Sequence, residues 1–165
     1  MIQHLKFFSI KSITILFSFI LLIGCSKDEV VPVKDLSTQM LEAVNKLRRE
    51  GCQCGTQYMP AVHELTWNDT LTLAASQHAK DMKDNNYLEH ISPTGTSPIQ
   101  RAIDAGYSGN YVGENIARGY YTFKQVMDAW KNSEDHCIDM MDSLYYEMGA
   151  AQASDYWDQE FGRPK

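Results

Sequence analysis

A chain of 165 residues that is 44% hydrophobic, 11% aromatic and 22% charged has the make-up of one globular domain with short appendages, not of a disordered or fibrous protein. Its 21 acidic against 15 basic side chains give a formal charge of −6. That sign argues against nucleic acid and against charge-driven binding to anionic lipid.

Residues 1–24 are expected to be a lipoprotein signal peptide. Lys6 and Lys11 precede "ITILFSFILLIG", an apolar run too short to span a bilayer and of the length of a secretory core. It ends in "LIGC", which resembles a bacterial lipobox, so Cys25 is the expected lipidation site and its acyl chains the expected link to the membrane. Ser26 after that Cys resembles an outer-membrane sorting choice, on either the periplasmic or the surface side. Loss of Lys6 and Lys11 leaves 13 basic against 21 acidic residues, a formal charge of −8. Residues 25–37, with charges, a Pro and no period, read as a tether, and residues 38–165 as the folded domain.

Within the domain, "STQMLEAVNKLRREG" predicts a helix from a Ser37 or Thr38 cap to a Gly51 stop. "WNDTLTLAASQHAKDMKDNN" predicts a longer one capped by Asn68, with one apolar stripe through residues 71, 74, 75, 78, 79 and 82. "SPIQRAIDAG" predicts a short third helix. "TFKQVMDAWKNS" predicts a fourth, opened by a Thr122/Gln125 capping box. "YVGENIA" is read as an inner strand, "YEMGAAQAS" and "DYWDQEFG" as closing strands. Helices interleaved with few short strands indicate an α+β fold, here a three-layer αβα sandwich.

Several motifs fail on inspection. "HELTW" lacks the second His of a zinc-protease helix, position 67 being Trp, and no GxSxG marks a serine hydrolase. His78, on the apolar stripe, is expected to be a packed, hydrogen-bonded core residue. His4 and His63 carry no assigned role. What remains is His90 past the second helix, Glu114 on the first long strand, and His136 after the fourth helix. Three separate segments can deliver these side chains to one cleft, although no local spacing demands it.

In chain order, "LTWNDTLTLAASQHAKDM", "YLEHISPTGTSPIQRAIDAGY", "GENIARGY", "VMDAWKNSEDHCIDMM", "YYEMGAA" and "YWDQEFG" resemble the CAP superfamily, in its bacterial SCP-like branch, over roughly residues 39–162. The resemblance implies an αβα sandwich with a small central antiparallel sheet and a His/Glu-lined cleft. Its first cleft His falls on His90, its strand Glu on Glu114 of "GENI" and its second His on His136, six residues after Trp130. The family's fourth member, a Glu, has no clean match. Ser133 stands at the nearest position and Glu134 beside it, so Glu134 is either a solvated loop charge or the missing acid.

A buried carboxylate such as Glu114 must be neutralised, paired or hydrogen-bonded. Two imidazoles and a carboxylate suit Zn²⁺ or another divalent cation with an open fourth position. The alternative is a metal-free network in which Glu114 holds a protonated His90 or His136. Asn115 is expected to tie strand to loop.

With Cys25 acylated, Cys52, Cys54 and Cys137 remain, an odd number that suggests one disulfide and one thiol. Relatives carry "CG" before a "YMP…LTW" segment together with "HC". The resemblance therefore implies a Cys54–Cys137 bridge, with Cys52 able to substitute for Cys54 or to pair between molecules, and a "CQC" metal site as a lesser option. Functionally the resemblance points to a lipid-anchored cell-envelope domain whose cleft binds a small ligand, divalent cation, lipid or partner protein. The alternative is a metal-assisted peptidase or esterase, with Glu114 as base for a water held between His90 and His136.

Overall fold

A computed structural model describes residues 35–165. The expected signal segment, the expected lipidation site at Cys25 and the expected tether up to residue 34 lie outside the described residues.

The first helix, α1 (Leu36–Glu50), begins slightly before the expected cap. Asp35 is the capping residue, its Oδ1 accepting from Thr38 N at 2.8 Å and from the Ser37 hydroxyl. Gly51, at φ 70°, stops the helix and turns the chain into a hairpin of β1 (Cys52–Cys54) and β2 (Gln57–Met59). A two-residue β3 (Thr66–Trp67) leads to α2 (Asp69–Asn85). Asn68 caps α2 through its side chain, as expected, and Asn86 closes it in the left-handed conformation. After a loop come α3 (Pro98–Asp104), β4 (Tyr111–Arg118), α4 (Phe123–Asn132), α5 (Glu134–Met141), β5 (Glu147–Ala153) and β6 (Tyr156–Arg163).

The main sheet has the order β3-β5-β6-β4. Its three long strands are antiparallel, and β3 joins parallel to β5. Helices α2 and α3 cover one face; α1, α4 and α5 cover the other, so the domain is an αβα sandwich. Alternation along β4 and β6 sorts the layers: Ile116 meets Met82 and Tyr156 on the α2 side, while Ala117 and Trp157 join Met40, Val44, Val126 and Trp130 on the other. Gly149 lets α2 press onto the sheet, because a Cβ there would collide with the backbone of Leu71 and Thr72.

Two elements depart from expectation. The strand read as inner, β4, is an edge strand that among the described residues pairs with β6 alone. It reads as interior because α3 and α5 cover it, which buries Glu114 through Ala117. Where a short loop was expected after Ser133, the chain forms α5. Ser133, at φ −91° and ψ 126°, breaks α4 and lets a second helix restart at once, placing Cys137, Met140 and Met141 in the core. Arg48, fully buried, anchors the far end of α5 by donating to Met140 O and Asp142 O, both at 2.9 Å.

Candidate functional site

Glu114 lies on the α2 face of β4 and is 5% exposed. Both of its oxygens are taken. Oε1 is 2.7 Å from His90 Nδ1, and Oε2 accepts from Arg101 Nη2 on α3. Arg101, also buried, donates through Nη1 to Thr96 O and through Nη2 to His90 O, both at 3.0 Å, so one guanidinium fixes the glutamate and the loop that carries His90. The His90 side chain is 53% exposed. Its backing is buried while its free edge reaches solvent.

His136 comes from α5 and is half-buried. Its carbonyl accepts from Asn115 Nδ2 at 3.1 Å, and the same amide nitrogen reaches Gln159 Oε1 at 3.0 Å. Asn115 thus ties strand to helix rather than strand to loop. The His136 ring helps to line a groove of about 260 Å³ whose other walls include Leu88, Ile116, Tyr120, Trp130 and Ser133. Glu134 points elsewhere: its Oε2 accepts from Thr56 N at 2.8 Å and from Thr56 Oγ1 at 3.3 Å in the β1–β2 turn. It is a brace for the hairpin, neither a free loop charge nor a member of the cleft.

Electrostatics separate the two imidazoles. The hydrogen bond to Glu114, with that residue's charge, raises the pKa of His90 above its ordinary 6.5. Burial, reinforced by the His90 charge, lowers that of His136 below 6.5. Over an interval around 6.5, His90 is therefore held cationic and His136 neutral and able to accept. On the same helix, burial and the Asp142 charge raise Asp139 from 3.8 to about 6.

The cleft does not present the three-donor metal set that the sequence suggested. Among the described residues, the groups of ligand-type side chains whose donor atoms lie within 4.8 Å of one another are Cys52/Cys54/Cys137 and His78/Glu114/Asp158. His90, Glu114 and His136 form no such group. Arg101 supplies Glu114 with the counter-charge that sequence reasoning sought in the imidazoles.

A disulfide joins Cys54 to Cys137, with 5.4 Å between their Cα atoms, and fastens α5 to β1 next to His136. Cys52 is the free thiol, its Sγ 3.7 Å from each bridged sulfur. His78 is buried with Nε2 at 3.0 Å from Glu89 O, in the packed role expected of it, but it also lies 3.9 Å from Glu114 Oε2. Sequence reasoning missed Arg101, Asp158 and Glu160, all buried on this side of the sheet. The available signals were an Arg on a seven-residue helix and two acids inside a strand flanked by Trp157 and Phe161.

These layers, with His90 paired to Glu114 on edge strand β4 and His136 carried by α5 across the Asn115 tie, define an αβα sandwich domain. The chain belongs to the Cysteine-rich secretory protein (CAP) family, whose model matches residues 41–161. It is 36% identical over 96 residues to YkwD of Bacillus subtilis, covering 57% of this chain and 37% of that protein. It is 32% identical over 98 residues to the membrane protein YlbC of the same organism, covering 59% and 28%. The chain thus spans about a third of the length of these curated relatives. Among solved structures, an extracellular SCP-domain protein of Bacillus anthracis superposes with a TM-score of 0.68 at 27% identity, covering 77% of this chain and 40% of that one. An outer surface protein of Borrelia burgdorferi shares the fold, with a TM-score of 0.66 at 23% identity over 78% and 92% of the two chains.

Proposed function

We propose that this CAP domain is a non-catalytic binding module of the cell envelope. Its ligand is small, with a polar head held between His90 and His136 and an apolar part in the groove along Leu88, Tyr120 and Trp130. One observation carries the reading: both oxygens of Glu114 are committed, to His90 and to Arg101. The carboxylate is therefore paired with a guanidinium and orients an imidazole, rather than standing free beside a substrate water. A hydrolase would need that same group as a free base, so the hydrolytic alternative has less support. The imidazolium of His90 and the neutral ring of His136 offer one donor and one acceptor, the complement of a carboxylic acid or a hydroxyl. At about 260 Å³ the groove is smaller than the roughly 300–1,000 Å³ of drug-sized sites. A medium-chain fatty acid or a compact alcohol suits it.

Location follows from the sequence and from likeness. The "LIGC" segment supports acylation at Cys25 and retention at the outer membrane, on its periplasmic or its surface side, and the extracellular relative from Bacillus anthracis is consistent with export. The formal charge of −8 after loss of the signal leaves the acyl chains as the membrane contact.

The test is calorimetric titration of the full chain in detergent with decanoate and with decanol, alongside turnover assays on peptide and ester libraries. Saturable binding that weakens at least tenfold in His136→Ala, with no turnover, is the expected result. Turnover abolished by both His90→Ala and Glu114→Ala would replace the binding module with a hydrolase.

A further inference from the structure

Behind the cleft, on the α2 face of the sheet, lies a second cluster that the binding reading does not use. Asp158 and Glu160 project from β6, both 0% exposed, and none of their four carboxylate oxygens meets an N–H or hydroxyl donor, the Glu114 carboxyl being the polar group against them. Glu160 stands opposite Glu114 in the β4–β6 register, and donor atoms of His78, Glu114 and Asp158 lie within 4.8 Å of one another. Three buried carboxylates thus share a space with one guanidinium, Arg101, whose Nε is also unpartnered. Charge of this kind is not left unmatched in a protein interior. It must be met by protons or by a cation.

We propose that His78, Glu114, Asp158 and Glu160 form a buried site for a divalent first-row transition ion, Zn²⁺ or Mn²⁺. Charge favours it: three carboxylates less Arg101 leave two negative charges, which one divalent ion cancels. Donor chemistry agrees, since one imidazole with carboxylate oxygens is a nitrogen/oxygen set suited to such ions. Supporting groups stand behind the imidazole as well. His78 Nδ1 lies 3.5 Å from the Tyr87 hydroxyl, which itself donates to Asp81. With the ion on Nε2, the ring proton sits on Nδ1 facing that oxygen, and Nε2 gives up Glu89 O. Access exists too. A groove of about 220 Å³ has His78 and Arg101 in its lining, with Asp81, Asp104, Ser92 and Thr94 around them, and carboxylates in that position draw a cation inward. A ligand binds a metal only in its deprotonated form, so binding displaces any proton these side chains hold.

The experiment uses the full chain, stripped with chelator and titrated with Zn²⁺ alone and Mn²⁺ alone by calorimetry in two buffers of different ionisation enthalpy. One equivalent should bind with proton release. Asp158→Asn and Glu160→Gln should each weaken it at least tenfold, while His136→Ala should leave it unchanged. The wild-type chain supplies a readout that survives a misfolded variant: the His78 ring ¹⁵N resonances should shift on addition of Zn²⁺. An absence of stoichiometric binding overturns the proposal, as does binding that is lost in His136→Ala and kept in Asp158→Asn. So does an Asp158→Asn chain that gains thermal stability while the wild type ignores both metals, because the acids are then neutralised by protons. The decanoate titration reads the groove on its own, so either reading can fail while the other stands.

Discussion

Arg101 Nη2 and Glu114 Oε2 form a buried ion pair that joins α3 to the edge of the sheet, and the same nitrogen donates to the carbonyl of His90. The guanidinium thereby holds the cleft carboxylate and the loop that delivers its partner imidazole. Removing it strands Glu114 among Asp158 and Glu160. Arg101→Ala should therefore cost about 3–5 kcal/mol, the usual effect of orphaning one member of a buried pair. Urea unfolding followed by circular dichroism measures this. A loss below about 1 kcal/mol would mean that the pair is not what neutralises Glu114.

The thiol cluster makes an asymmetric prediction. The Cys54–Cys137 bridge spans a sequence separation of 83, for which chain entropy gives about 4.5 kcal/mol. Cys137→Ala removes the partner of either cysteine on β1 and should lose that full amount. Cys54→Ala leaves Cys52, already 3.7 Å from Cys137 Sγ, able to form the bridge instead, so the loss should be much smaller. Peptide mapping of non-reduced Cys54→Ala should find a Cys52–Cys137 linkage. Equal losses in the two variants would exclude the substitution.

Asp139 yields a pH-dependent effect of known sign. Its folded value, about 6, lies above its ordinary 3.8, so the folded state holds a proton that the unfolded chain has released. That contribution is fully present below pH 3.8 and is lost as pH rises to about 6. Asp139→Asn should therefore stabilise the domain at pH 7, on the order of 2–3 kcal/mol, and do little at pH 3.5. Thermal melts at the two pH values distinguish this from a general packing effect, which would appear at both.

What was legible in the sequence follows the range over which each residue acts. The Thr122/Gln125 capping box and the Asn68 cap involve neighbours within three positions, so α4 and α2 start where their sequences indicate. Ser133 hid α5, because a single extended residue between two helices looks the same as a loop when read along the chain. Glu134 was ambiguous for a related reason: its partner, Thr56, is 78 positions away. His90, Glu114 and His136 could be picked out through family resemblance, but Arg101 could not, since nothing local says that a polar residue on a seven-residue helix will face a strand. Asp158 and Glu160 escaped because β6 is buried on both faces and shows no alternation to violate. Tertiary burial decided these cases.

The two cleft imidazoles should titrate in opposite directions. His90 is raised by its bond to Glu114, so its contribution to stability is fully present below 6.5 and disappears as pH rises through its folded value. His136 is lowered by burial, so its contribution is present above 6.5 and disappears as pH falls through its folded value. His78, also lowered by burial, adds to the acid-side loss. Proton-detected titration of the ring resonances should accordingly give the order His90, then an ordinary imidazole, then His136, from highest to lowest. His136→Gln should flatten only part of the acid-side slope, leaving the His78 share, whereas His90→Gln should flatten the alkaline side. In Glu114→Gln, His90 loses the carboxylate that raises it and should fall towards or below 6.5 while the charge it imposes on His136 is relieved. If His90 kept its raised value in that variant, the support would have to come from Asp139 across the cleft, and the Arg101–Glu114–His90 chain would not be what charges the imidazole.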